Sequence, residues 1–184
     1  MATKGASPDV SDAQLIARCL VGDDRHAFAE LVKRHQSAVR ACLRKLTVGN
    51  HALADDLAQD TFVLAWRNLK SFRFEARFST WLYRIAFNAW QSEARKRREV
   101  LLDLDDAPSA EPFEEMPDVA ARMDLERALA TLSDGERAAI GACYYADLSH
   151  EEAAQALGMP LGTVKTHVLR AKAKLKALLA PKEE

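Results

Sequence analysis

Between Arg98 and Arg122 the chain holds eight acidic residues, three prolines and no Lys or Arg, in a run that reads EVLLDLDDAPSAEPFEEMPDVA. A stretch of that composition repels itself and buries too little apolar surface to offset the entropy of ordering it. It reads as a flexible linker over residues 99–118. The chain is therefore expected to fold around two small cores, one in residues 11–98 and one in residues 119–180, behind a disordered tail at 1–10. A length of 184 residues suffices for two such units.

Both units place apolar residues at helical spacing with no hairpin signals, which predicts an all-α fold. Ser11 caps a first helix that ends near Gly22, and Asp23 or Asp24 opens a second. In that second helix Ala27, Phe28, Leu31, Val32, His35, Val39, Cys42, Leu43 and Leu46 form an i, i+3/i+4 stripe. A turn at Val48-Gly49-Asn50 leads to a third helix over about 52–69, and the loop SFRFEARF leads to a fourth, capped by Ser79 and running out through ARKRR. Helical period resumes near Val119, and Ser133/Glu136 and Ser149/Glu152 each form an S-x-x-E capping box.

The formal net charge of −1 conceals a segregation: residues 1–98 carry 17 Lys+Arg against 10 acids, residues 99–121 carry eight acids alone, and residues 122–184 carry nine of each. Local fields of this kind choose partners more than the total does. Cys19, Cys42 and Cys143 sit in apolar helical patterns and read as buried or half-buried thiols, and the five His are not at metal-ligand spacing with them. No nucleophile triad or phosphate loop is present, so neither enzyme activity, cofactor, metal nor small-molecule substrate is expected. No apolar run approaches the roughly 20 residues of a membrane span, and the N-terminus lacks the apolar core of a signal peptide, so the expected location is the cytoplasm.

Three features bear on function. The first is LSHEEAAQALGMPLGTVKTHVLRAKAKLK, Leu148 to Lys176: Ala153 and Leu157 face inward, Gly158 supplies a left-handed turn residue, Pro160 fits the next helix's first turn, and Val164, Val168 and Leu175 are core. This is helix-turn-helix spacing. The second helix presents Lys165, Thr166, His167, Leu169, Arg170, Lys172 and Lys174 outward, and no acid occurs from Ala153 to Lys182. Solvated faces usually mix signs, so this one points to DNA: its first turns to base edges, Lys172, Lys174 and Lys176 to phosphates.

The second feature is aromatic crowding, with nine of 13 aromatics between Phe62 and Trp90. Trp81, Ile85, Phe62 and Trp66 read as core. Phe72, Phe74 and Phe78 share a loop with Arg73 and Arg77, a combination able to stack and clamp unpaired bases. The third feature is DDLAQDTFVLAWRNL, in which Asp55, Asp56, Gln59 and Asp60 make a polar face opposite Leu57, Leu64 and Trp66, with Phe62 near its edge. The residues alone leave a solvated face and a protein-binding face equally open.

In this order, the three features resemble a bacterial extracytoplasmic-function (ECF) RNA polymerase sigma factor, group IV of the sigma-70 family. LADDLAQDTF resembles the family's D-A-E-D-L-x-Q-E-x-F segment, with Leu53 at the pattern's first Asp. FSTWLYRIAFN nearly matches F-x-T-W-L-Y-R-I-A-x-N, and GMPLGTVKTHVLRAKAKL resembles G-x-P-x-G-T-V-K-S-R-x-x-R-A-x-x-x-L, with His167 where Arg is usual.

The resemblance implies a region 2 bundle over 11–98 and a region 4 helix-turn-helix over 119–180. Asp55, Asp56, Gln59, Asp60 and Phe62 would bind the clamp helices of the largest subunit of core RNA polymerase, with region 4 on the flap region. Phe72 and Asn88, with Asn68 and Arg73 beside them, would hold a flipped base of the minus-10 element, and Arg95, Lys96, Arg97 and Arg98 would grip the adjoining duplex. Ser92 stands where many members have Asp. Lys165, Thr166, His167, Leu169, Arg170 and Lys172 would read the minus-35 element. The acidic linker would follow a basic path meant for RNA, against the simpler reading of a soluble spacer. An anti-sigma factor is implied as regulator. The alternative is a stand-alone helix-turn-helix transcriptional regulator.

Overall fold

The computed structural model describes residues 10–103 and 117–179, and the regular elements among them are all helical. Local chemistry sets their ends. Ser11 and Gln14 exchange hydrogen bonds in a capping box that starts α1, Asp12–Gly22. Asp23, at φ 51°, ends it in the left-handed region. Asp24 is the residue that opens α2, Arg25–Leu46, by accepting the Ala27 backbone N–H. Asn50 caps α3, His51–Asn68, which tightens into a 3₁₀ turn at Leu69–Ser71.

The fourth helix, α4, spans Phe78–Asp103 and departs from expectation at both ends. Its first bond runs from the Trp81 N–H to the Arg77 carbonyl, so Ser79 lies within the first turn and is not the cap. At the other end the helix continues five residues into the segment assigned to the linker. Once a helix is nucleated each added residue gains a hydrogen bond, and Glu-Val-Leu-Leu-Asp contains no breaker. The remaining linker, 104–116, and the tail at 1–9 lie outside the described residues.

The second unit opens with α5, Pro117–Ala130, two residues ahead of Val119 and with proline at the first helical position. Then come α6, Asp134–Ile140, a wide π-type turn at Gly141–Tyr145, α7, His150–Leu157, and α8, Leu161–Leu179. Both predicted capping boxes form, at Ser133/Glu136 and Ser149/Glu152. Gly158 adopts φ 63° as predicted, while Pro160 sits just before α8, its carbonyl accepting the Val164 N–H.

In the first unit Leu31, Leu43, Leu46 and Leu82 are fully buried, each contributing about 1.5–3 kcal/mol of apolar transfer. The aromatic assignment reverses here. Phe72, Phe78, Tyr83, Phe87 and Trp90 are the buried rings, whereas Phe62, Trp66, Trp81 and Ile85 pack at the rim. The buried face of α4 follows positions 78, 82, 86 and 90 with 83 and 87 beside them, a stripe one step away from Trp81 and Ile85. Cys19 and Cys42 are buried and Cys143 half-buried, all as free thiols.

The two units share a core. One apolar cluster runs from Leu15 and Leu43 through Tyr83 to Ala139, Leu157 and Val168, and a smaller one joins Leu129, Leu132, Ile140 and Ala171. At the junction the Cys42 thiol donates to the Tyr83 oxygen at 3.1 Å, and the Tyr83 hydroxyl reaches the Ala138 carbonyl at 3.5 Å. Burial pushes the Cys42 thiol up to about 12 and raises Tyr83 well above its ordinary value, so both remain neutral. Gly141 permits this approach, since a Cβ there would lie 2.9 Å from the Tyr83 hydroxyl oxygen. Arg137 bridges the units as well, donating to the Leu46 carbonyl at 3.2 Å and to Leu132 at 3.0 Å.

Candidate nucleic-acid interface

The loop between the 3₁₀ turn and α4 is built by packing rings. Phe72 sits 4.8 Å from Phe74, 5.7 Å from Phe78 and 5.4 Å from Trp81 between ring centroids. Phe78 stacks on Trp81 at 5.7 Å. Phe72 and Phe78, expected as free stacking rings, are 7% and 5% exposed and anchor the loop to the bundle. Phe74 is the ring left outside, 52% exposed and held at φ 57°. A bulky residue there stores backbone strain that the surrounding rings sustain.

Beside the loop opens a cavity of about 770 Å³ that collects Asn68, Phe72, Arg73, Arg84 and Asn88. Sequence reading named four of these five. Arg84 was missed although it stands one helical turn before Asn88 on the exposed face of α4, a spacing visible in the chain. Asn68 donates its amide to the Leu64 carbonyl at 2.9 Å, leaving its side-chain oxygen for other partners. The far wall consists of Gln155 and Ala156 from α7. No local pattern announces that wall, because it depends on how the two units meet.

A second groove of about 460 Å³ continues along α4 past Asn88 to Ser92 and Lys96, with Asp60, Leu64 and Asn68 of α3 opposite. Arg95 and Lys96 are exposed, Arg97 lies 3.2 Å from Glu93 and Arg98 follows on the same helix. Arg95 faces a third hollow, of about 290 Å³, shared with Asp134 and Gly135 of α6.

The acids of α3 lie on one outward arc, divided into two adjacent stripes. Asp55 turns toward α2, 3.1 Å from Arg40 and 3.5 Å from Arg44, on the same stripe as Gln59, Phe62 and Trp66. Asp56 and Asp60 occupy the neighbouring exposed stripe with Val63. Leu64 is 36% exposed and not opposed to the polar face as inferred. The buried stripe is Ala54, Leu57, Ala58, Thr61 and Ala65, as a 100° step per residue dictates.

On α8, Lys165, Thr166, Leu169, Arg170 and Lys172 are exposed, with Leu169 at 71%. Lys172 lies 5.3 Å over the Tyr144 ring, and the Thr166 hydroxyl donates back to the Gly162 carbonyl at 2.8 Å. Of the residues expected outward, His167 turns inward and Lys174 stays exposed but is paired. His167 is half-buried against α6, its Nε2 2.9 Å from where a Gly135 Cβ would stand. The Lys174 ammonium is 2.7 Å from Glu136, a side chain only 5% exposed whose carboxylate also closes the α6 capping box. That contact lowers the pKa of Glu136. Among the described residues no group of three His, Cys, Asp or Glu is placed to hold a metal. No described helix is long and apolar enough to cross a membrane.

A helical bundle with an aromatic loop over a polar cavity, joined to a helix-turn-helix with a cationic second helix, defines an all-helical protein of two units. Two family descriptions match it in the same order: Sigma-70 region 2 over residues 31–100 and Sigma-70, region 4 over residues 122–175. The ECF RNA polymerase sigma factor SigM of Mycobacterium tuberculosis is 35% identical, over 95% of this chain and 88% of its own length. The sigma factor RpoE in complex with the anti-sigma factor NepR from Bartonella quintana superposes with TM-score 0.71 at 30% identity, covering 85% of this chain and 98% of that one. CnrH in complex with the cytosolic domain of CnrY does so with TM-score 0.69 at 32% identity, covering 94% and 99%. The chain belongs to the ECF sigma factors of the sigma-70 family.

Proposed function

We propose that this chain is the promoter-specificity subunit of a bacterial RNA polymerase holoenzyme, reading a minus-10 element with its first unit and a minus-35 element with its second. The observation that carries the reading is the cavity bounded by Asn68, Phe72, Arg73, Arg84 and Asn88. It offers amides able to pair with a base edge, an aromatic wall to stack on, and two guanidinium groups for phosphate, which is the chemistry of capturing an unpaired base. Unstacking a base costs a few kcal/mol, and stacking on protein rings returns about 1–3 kcal/mol per base. Binding energy alone then shifts a duplex toward the open form. Arg95, Lys96, Arg97 and Arg98 hold the upstream backbone, adding affinity that falls with salt.

Asp56, Gln59 and Asp60, with Phe62 at the rim, form the surface that docks on the polymerase clamp helices, and Asp55 orders that surface through Arg40 and Arg44. Lys165, Thr166, Arg170, Leu169 and Lys172 form the minus-35 face, with His167 as its inner support. The solved relative RpoE is in complex with the anti-sigma factor NepR, which supports regulation of this chain by such a partner. The test is co-elution with purified core polymerase followed by footprinting on promoter DNA. Two protected patches at fixed spacing support the reading, and a chain that does not join core polymerase refutes it.

A further inference from the structure

Among the described residues two aromatic rings are exposed, Phe74 at 52% and Tyr144 at 55%. Phe74 belongs to the loop over the minus-10 cavity. Tyr144 stands in the second unit, in the wide turn at Gly141–Tyr145 that follows α6. That turn sends two consecutive tyrosines to two different lysines. The half-buried Tyr145 ring lies 5.7 Å from the Lys45 ammonium of α2, and the exposed Tyr144 ring lies 5.3 Å from the Lys172 ammonium of α8. Turns of this wide π type are rare and occur frequently at functional sites.

Lys172 belongs to a row. At 100° per residue, Lys165, Lys172 and Lys176 fall on one flank of α8, beside the stripe of Val164, Val168 and Ala171 that faces the core. All three lysines are exposed, and Lys172 is the middle one. Its contact differs in kind from that of Lys174, which pairs with the Glu136 carboxylate at 2.7 Å. A ring attracts an ammonium through its quadrupole and carries no net charge, so Lys172 is held without being neutralised. Among the described residues no carboxylate pairs with it. A lysine side chain loses much rotamer freedom when it docks on a phosphate, and a partner that restricts that freedom beforehand lowers the cost of binding.

From this geometry we infer that Tyr144 is a positioning residue of the minus-35 face: its ring presets the Lys172 ammonium for a phosphate of the promoter duplex. A turn outside the helix-turn-helix thereby takes part in setting minus-35 affinity. The inference rests on the minus-35 assignment proposed above. Tyr144 acts through Lys172, so it contributes affinity and salt dependence and carries no base preference of its own.

The test is a double-substitution cycle on the holoenzyme. Tyr144→Leu keeps apolar bulk and removes the ring, Tyr144→Phe keeps the ring and removes the hydroxyl, and each is made with and without Lys172→Ala. Binding of a labelled promoter duplex that the wild-type holoenzyme transcribes is titrated over a range of salt, with the minus-35 element intact and scrambled. Thermal melting of each full-length chain checks the fold. We expect Tyr144→Leu to weaken binding about two- to fivefold, the span of an exposed cation–π contact, and Tyr144→Phe to bind like wild type. Lys172→Ala should lower the slope of log K against log salt by about 0.9, and Tyr144→Leu should have no further effect in its presence. Equal losses from Tyr144→Leu in both backgrounds, a loss from Tyr144→Phe as large as that from Tyr144→Leu, or a gain of affinity in Tyr144→Leu would overturn the inference and leave minus-35 recognition standing. Wild-type binding that is indifferent to scrambling of the minus-35 element would overturn the promoter reading, and the inference with it.

Discussion

Arg77 and Glu152, 75 residues apart in sequence, meet through two 2.7 Å bonds that join the aromatic loop of the first unit to the helix-turn-helix of the second. The Arg77 hydrogen bonds, with the Ser149 backbone N–H in support, hold the Glu152 carboxyl down at about 2. Its folded value lies below the ordinary 4.5, so the stability it contributes is complete above about pH 5 and fades as pH falls from 4.5 towards 2. Urea midpoints of wild type and Glu152→Gln, taken from pH 7 to pH 2, should differ at the top of that range and converge at the bottom. The difference should stay within about 1 kcal/mol, since Arg77 is largely exposed.

Phe72 and Asn88 line the same cavity, yet they should fail differently when truncated. Phe72 is buried among three rings, so Phe72→Ala should cost about 3–5 kcal/mol of stability by thermal unfolding and confound any DNA measurement. Asn88 is exposed, and Asn88→Ala should leave the melting temperature unchanged while weakening binding of the minus-10 strand. Equal loss of stability in both would contradict the division.

On the acidic helix the two stripes separate along the same lines. Asp56→Arg with Asp60→Arg should abolish co-elution with core polymerase and leave stability within about 0.5 kcal/mol. Asp55→Ala should show in chemical denaturation, because it strands Arg40 and Arg44.

Reversing Lys165 and Arg170 to Glu should reduce use of promoters that depend on their minus-35 element. Each lost phosphate contact should lower the slope of log K against log salt by about 0.9, read from holoenzyme binding titrations. Lys174→Ala should behave otherwise. It removes the partner of the buried Glu136 carboxylate and should lower stability before it changes DNA affinity.

Local chemistry was well written in the sequence. The Ser11 cap, the two S-x-x-E boxes, the Gly158 turn and the α2 stripe depend on neighbours within four residues, and all of them form as read. What depended on the angle around a helix was less legible. Trp81 and Ile85 share a helical face with each other, but Phe78, Leu82 and Trp90 take the buried position that either stripe could have filled. Residues whose place is set by a packed neighbour distant in sequence could not be read at all. His167 and Lys174 both look free on an isolated α8, but His167 turns inward into the notch that Gly135 leaves, and the exposed Lys174 pairs with the buried charge of Glu136 on α6. The meeting of Gln155 with Asn68 and Asn88 around one cavity has the same origin.

As the proposed promoter-specificity subunit, this chain directs polymerase to promoters with two separated elements. The most direct test of that role is transcription by purified core polymerase from a pool of genomic promoter fragments, with and without the chain, mapping 5′ ends. New transcripts should start downstream of a shared pair of motifs at constant spacing and disappear when either motif is scrambled. Transcription that is unchanged by the chain, or new starts with no shared pair of motifs, would contradict it.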